Sequence, residues 1–418
     1  MQKYVEDACY DHLVKNLQPH FRKPTGQSPF GSGVSRKRVA SIMEKSMRNS
    51  DRYKNLKKQG WDDEKIFKSF QEPIDMTLFS YNGDIEKTMS PYDSIFYYKS
   101  FLRCGFMSMD PYTGAVKAYV GGLDYEHFSY DMAMEGRRQV GSTMKPYLYS
   151  LAMENGWVPC DVVSAQRRVY NVGGEKWSPK GGVGGMMSLK SALACSSNQV
   201  SAYLMSKLDP HQLVDLLKNY GIRNNQIQPY LSLCLGPCEI KVGEMVSGYT
   251  AFPNRGVRTA PMFVSKIVDS HGNIVATFKP RMNEVISEGS SYKMITLMRA
   301  VVNEGTGRRI RGYYSGDLAG KTGTTNENSD AWFMGYTPEL VCGAWVGGED
   351  RDIHFYSTSI GQGAAAALPI IGKYLKSVYS DQTLPYDKTK RFDIPKDFDP
   401  CKKKNDKGNE IGVEDVYE

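Results

Sequence analysis

Two lysines in this chain stand where a nucleophile could use them. In "RQVGSTMKP" (residues 138–146) Ser142 lies three positions before Lys145, and in "DLAGKTGTT" (317–325) Lys321 sits inside a run of small residues. At i and i+3 on a helix two side chains share one face, with Cβ atoms roughly 5–6 Å apart. A serine hydroxyl is a poor nucleophile until a base takes its proton, and a lysine serves as that base if burial or a nearby cation disfavours its charge. Gly141 lets the backbone turn tightly into the helix. A start near Ser142 also makes Pro146 tolerable, because the earliest amides of a helix have no acceptor within it. Alone, these four residues read better as an N-cap serine and a surface lysine.

Two further elements change that balance. "CSSNQV" (195–200) sets Ser196 and Asn198 two apart near a helix terminus, where a hydroxyl and an amide project into a cleft as proton relay and substrate-binding group. An SxN triplet by itself is commoner as a turn or cap. In the third element, Lys321 offers a fixed cation and Thr322 and Thr324 offer hydroxyls. Gly323 permits close backbone approach, and the segment reads as an edge strand suited to an extended peptide. Lying on a different element from Lys145, Lys321 is expected chiefly to bind substrate as a cation, with activation of Lys145 the smaller role.

Competing chemistries are poorly supplied. "AGKTG" has the core of a phosphate-binding loop, but the glycine needed five positions earlier falls on Ser315, and the segment leads into a loop and strand rather than a helix. None of the six histidines lies in a G-x-S-x-G or H-E-x-x-H context, and His127 reads as a loop or cleft-rim residue. No cysteine pair is matched by histidines as a zinc site would need, so no metal or cofactor is expected. The net charge of +7 over 418 residues is mild and not gathered into a basic tract, which argues against nucleic acid and tolerates an anionic substrate. Cys234 and Cys238 in "CLGPC" are spaced for a local disulfide or for two buried thiols, and the sequence leaves that open.

The elements that must position these groups can be read from pattern. Residues 1–74 read as polar helix with a thin apolar stripe, a small lobe or linker needing something larger to pack on. From about 75 the period changes. "CGFMSMDPYTGAVKAYVGG" reads as a hairpin, and helical spacing follows Ser142. A glycine-rich loop spans 170–187, helices resume around 188–219 and 291–305, and "DLAGKTGTT", "DAWFMGYTPELVCGAWVGG" and "GAAAALPIIGKYLKSVY" read as strand, hairpin and helix. Strands at both ends of the sequence enclosing a helical middle predict an α+β domain over 75–380 with an antiparallel sheet. The segment 381–418, polar and proline-punctuated, reads as a loosely ordered tail. No apolar run reaches the roughly 18 residues of a membrane span.

In their order S-x-x-K, S-x-N, K-T-G-T, the three elements resemble the penicillin-binding protein and serine β-lactamase superfamily. The longer stretches "SPYDSIFYYKSFLRCGFMSMDPYTGAVKAYVGGLDY", "RRQVGSTMKPYLYSLAMENG" and "KTGTTNENSDAWFMGYTPELVCGAWVG" look like the transpeptidase domain of a class A, bifunctional member. That resemblance implies an antiparallel sheet flanked by helices, acylation of Ser142 with Lys145 as general base, and Ser196 passing a proton to the leaving amine. Asn198 would hold the donor peptide, while Lys321, Thr322 and Thr324 would receive its carboxylate and Gly323 would let its backbone approach. The backbone amides of Ser142 and Thr324 would form an oxyanion hole. The implied partners are peptidoglycan stem peptides, as D-Ala-D-Ala donor and amine acceptor, and β-lactams. An upstream glycosyltransferase domain and a membrane anchor are implied for the full-length protein, which sets the domain outside the cytoplasmic membrane. A D,D-carboxypeptidase or β-lactamase would share every named residue, and a penicillin-sensing domain that retains them is the non-enzyme alternative.

Overall fold

A computed structural model describes residues 1–22, 28–31, 33–182, 184–404 and 410–411. At its centre is a five-stranded sheet in the order Ala319–Thr324, Asp330–Tyr336, Val341–Gly347, Arg103–Met109, Val116–Val120. Every neighbouring pair is antiparallel, and Lys321 pairs with Met334 and Thr324 with Ala331. The motif strand Ala319–Thr324 is therefore an edge strand, as expected.

The alternation seen in the sequence separates two cores rather than core from solvent. Trp332, Met334 and Tyr336 face one apolar cluster, while Ala331 and Phe333 face the other. In the neighbouring strand Trp345 and Val341 oppose Cys342, Ala344 and Val346 in the same way. Helices cover both faces, so the central strands are apolar throughout. One layer contains Lys145–Glu154, Val242–Tyr249 and Glu288–Asn303. Residues 145–153 are all buried, so the helix that follows Ser142 shows no amphipathic stripe.

The other layer joins Leu368–Ser380 to Gln2–Cys9 and the π-type turns Tyr10–Leu17. Val5, Cys9, Leu13, Leu17 and Phe21 lie in the same core as Ile370, Ile371 and Tyr374. The first 22 residues thus pack directly on the sheet. The smaller cluster of Met47, Tyr53, Ile66 and Phe70 gathers the helices Arg36–Asn49, Asp51–Lys58 and Asp63–Ser69, and Ile42 and Met43 of the first helix join it to the sheet-side core.

The expectation of a loosely ordered tail is corrected over its described part. Phe392 is buried in the main core, Ile394 and Phe398 pack against it, and the Phe392 N–H donates to Asp317 Oδ2 at 3.1 Å. Cys401 is disulfide-bonded to Cys160, 241 residues away in sequence. Cys234 and Cys238 are both free thiols. The rest of that tail, 405–409 and 412–418, lies outside the described residues.

Candidate active site

The edge strand, the start of the long buried helix and the break between two short helices meet at one place. Ser142 occupies a single 3-10 turn, Gly141–Met144, which leads without interruption into the helix beginning at Lys145. It makes no capping bond, and Lys145 is fully buried, so the N-cap and surface-lysine reading fails. Gly141 has φ +52°, and a Cβ there would stand 2.8 Å from the Thr324 carbonyl oxygen. The turn is therefore pressed against the motif strand through a position only glycine fills comfortably.

Ser196 sits between the helices Leu189–Ala194 and Asn198–Lys207 with φ +60°, a left-handed conformation that costs a non-glycine residue. It presents its hydroxyl to two cations. Lys145 Nζ donates to Ser196 Oγ at 3.1 Å, to the Ser196 carbonyl at 2.5 Å and to Asn198 Oδ1 at 2.7 Å. Lys321 Nζ donates to the same Ser196 Oγ at 2.9 Å and to the Thr322 carbonyl at 2.9 Å. Burial lowers the Lys145 pKa to about 7. Burial, reinforced by the charge of Lys145, holds Lys321 well below the usual lysine range. Both lysines reach one oxygen although they lie on different elements, and such a pair releases its protons in coupled steps.

An ammonium has three donors, and all three on Lys145 are engaged. Loss of a proton leaves a lone pair free to turn toward Ser142, whose partly exposed hydroxyl has no hydrogen-bond partner among the described residues.

Thr322 shares a 2.6 Å hydroxyl contact with Thr306, and the Thr324 hydroxyl accepts from the Gly363 N–H at 3.1 Å, leaving its own proton available. Thr306 carries no sequence signal, since it follows a helix in an unremarked "EGTG". Asn198 is already engaged on both sides: besides Lys145, its amide donates to the Lys180 carbonyl at 3.0 Å. Gln199 donates to the carbonyls of Pro179 and Gly181 at 2.8 and 2.7 Å. These two residues tie the glycine-rich loop down beside the lysines, a connection that its composition did not reveal.

"CLGPC" braces the turn that carries Ser142. The Val140 N–H donates to the Cys238 carbonyl at 3.1 Å and the Gly141 N–H to the Gly236 carbonyl at 3.0 Å. His127 lies elsewhere, bonded to Asp124 at 2.9 Å within an aromatic cluster around Phe79.

An antiparallel sheet between helical layers, with the S-x-x-K turn, the S-x-N break and the K-T-G-T edge strand brought together, is the arrangement that the resemblance of the motifs implies. Comparison with known proteins makes the assignment specific. Residues 104–341 match the model of the penicillin binding protein transpeptidase domain, and 25–102 that of the penicillin-binding protein middle domain. The first match covers more than half of the chain, and the chain belongs to the penicillin-binding protein transpeptidase family.

Penicillin-binding protein 1A of Aquifex aeolicus is 34% identical over 285 residues, covering 66% of this chain and 38% of that protein. That of Neisseria meningitidis serogroup A is 32% identical over 286 residues, 66% of this chain and 36% of that protein. The chain thus spans less than two-fifths of the length of these relatives. Among solved structures, penicillin-binding protein 1A of Haemophilus influenzae superposes with a TM-score of 0.69 at 20% identity, over 98% of this chain and 70% of that one. PonA1 of Mycobacterium tuberculosis superposes at 0.60 with 25% identity, over 70% of this chain and 80% of that one.

Proposed function

We propose that this chain is a serine-type D,D-transpeptidase that cross-links peptidoglycan stem peptides through an acyl-enzyme on Ser142 and is inhibited by β-lactams. The observation that carries the reading is the convergence of Lys145 and Lys321 on the Ser196 hydroxyl. Neutral Lys145 takes the Ser142 proton as its oxygen attacks the penultimate D-alanine carbonyl. The backbone amides of Ser142 and Thr324 receive the developing oxyanion, which is stabilised only as charge appears. Collapse breaks the peptide bond while Ser196 gives its proton to the departing D-alanine amine and regains one from Lys145. An acceptor amine then attacks the ester, its proton returning along the same path to Ser142.

Asn198 holds the donor backbone and orients Lys145. Lys321, Thr322 and Thr324 receive the terminal carboxylate, and Gly323 lets the donor lie along the edge strand. The related PonA1 protein has been solved in complex with penicillin V, which supports β-lactams as ligands here. Among the described residues no helix is long and apolar enough to cross a membrane. The likeness to penicillin-binding protein 1A supports an extracytoplasmic position and, in the full-length protein, an anchor and a glycosyltransferase domain.

The test is turnover of a stem peptide ending in D-Ala-D-Ala with an amine acceptor present. D-alanine release matched by cross-linked product is expected. Release without cross-linking would make the chain a carboxypeptidase. No turnover of peptide or thioester substrates, with acylation by penicillin intact, would make it a sensor.

A further inference from the structure

Behind the candidate site lies a buried ion pair that the reaction does not use. The strand Arg137–Gln139 runs straight into the turn that carries Ser142, and the strand Ala319–Thr324 turns back through Asp330. Arg138 and Asp330, which join these two segments, are both buried. Arg138 Nε donates to Asp330 Oδ1 at 2.8 Å, and Trp345 Nε1 donates to the same oxygen at 3.0 Å. The Thr325 hydroxyl donates to Asp330 Oδ2 at 3.3 Å, and the Asp330 N–H returns a bond to Thr325 Oγ1 at 2.9 Å. The remaining arms of Arg138 donate to the carbonyls of Glu349 and Gly348 at 2.9 and 3.0 Å, with the guanidinium 4.4 Å from the Trp345 ring centre.

A fully satisfied buried ion pair is weak as a source of stability, because apolar residues of the same volume often serve as well. Its geometry, however, is fixed at both ends. The two segments it joins touch without slack: Trp332 Nε1 donates to the Gln139 carbonyl at 2.8 Å, and a Cβ on Gly323 would stand 2.8 Å from the Val140 carbonyl oxygen. Displacement of the pair therefore moves the Ser142 turn relative to Thr324.

We propose that Arg138 and Asp330 are positioning residues for acyl transfer, their ion pair setting the spacing between the backbones of Ser142 and Thr324. The inference rests on the reading of Ser142 as the acylated residue. Errors of about 1 Å in such spacing cost on the order of 100-fold in rate.

Acylation by a chromogenic β-lactam, followed by stopped flow and expressed per titrated active site well below the melting temperature, tests it. In Asp330→Asn the limiting acylation rate is expected to fall at least ~10-fold. The dissociation constant of the preceding complex should stay within about twofold and the pH midpoint unchanged. Arg138→Lys, which keeps the charge and loses the planar fork, should fall between wild type and Asp330→Asn. Thr325→Val removes only the hydroxyl bridge and should give a smaller drop in the same rate. A lowered melting temperature and active fraction with an unchanged limiting rate would overturn the proposal. If neither charge variant folds, an unchanged rate in Thr325→Val overturns it. A wild type that is not acylated on Ser142 overturns the underlying reading as well.

Discussion

Lys145 and Lys321 share one acceptor: their ammonium groups lie 3.1 and 2.9 Å from the hydroxyl of Ser196, and both are fully buried. Two cations on one oxygen away from water make the second proton hard to keep. Burial brings Lys145 to about 7, so an amine that is neutral near physiological pH is present without any histidine at the site.

The pH dependence follows with a definite sign. Burial lowers the Lys145 pKa from its ordinary 10.5 to about 7, so the neutral amine predominates above that value. Acylation should therefore rise through about pH 7 and level off. Burial, and not Lys321, lowers Lys145, while the charge of Lys145 lowers Lys321, so Lys321→Ala should leave the midpoint near pH 7 and slow chiefly carboxylate-bearing substrates. Acylation rate constants between about pH 6 and 10 measure it. A midpoint moved to higher pH, with acylation slowed for every substrate, would instead give Lys321 a part in activating Lys145.

Gly236 should be intolerant of a side chain although it lies outside the three motifs. It has φ +65°, and a Cβ would approach the Gly141 carbonyl oxygen to 2.1 Å. Gly236→Ala must shift the turn that carries Ser142, and a ~100-fold loss in acylation is expected. Acylation kinetics on folded protein check this, and a loss below about threefold would mean the turn absorbs the methyl group elsewhere.

Cys401→Ser separates the tail from catalysis. Loss of a bond that closes a 241-residue separation should lower stability by about 2–4 kcal/mol, seen in thermal unfolding under non-reducing conditions. Acylation at a temperature where the variant is folded should be unchanged, since neither cysteine contacts the lysines. An unchanged melting temperature would show that Phe392 and Phe398 hold the tail without it.

The sequence carries the site's ingredients and the sheet's strands because both leave local signals: fixed short spacings, and apolar residues recurring every second position. It does not show that the alternation in 330–347 divides two cores, since Trp332 and Phe333 are both apolar whichever layer they face. The tail was illegible for a related reason. Phe392 and Phe398 stand singly among prolines and charges, and what orders them is a core and a cysteine far away in sequence. The nearness of the two lysines is likewise a product of tertiary folding, which brings an edge strand to a helix break 125 residues away.

Acylation of Ser142 is measured by intact mass after incubation with a β-lactam, followed by peptide mapping. One covalent adduct per chain is expected, located on Ser142, abolished in Ser142→Ala and formed ~100-fold or more slowly in Lys145→Ala as general-base catalysis is lost. An adduct on another residue, or none with several β-lactams, would contradict Ser142 as the acylated residue.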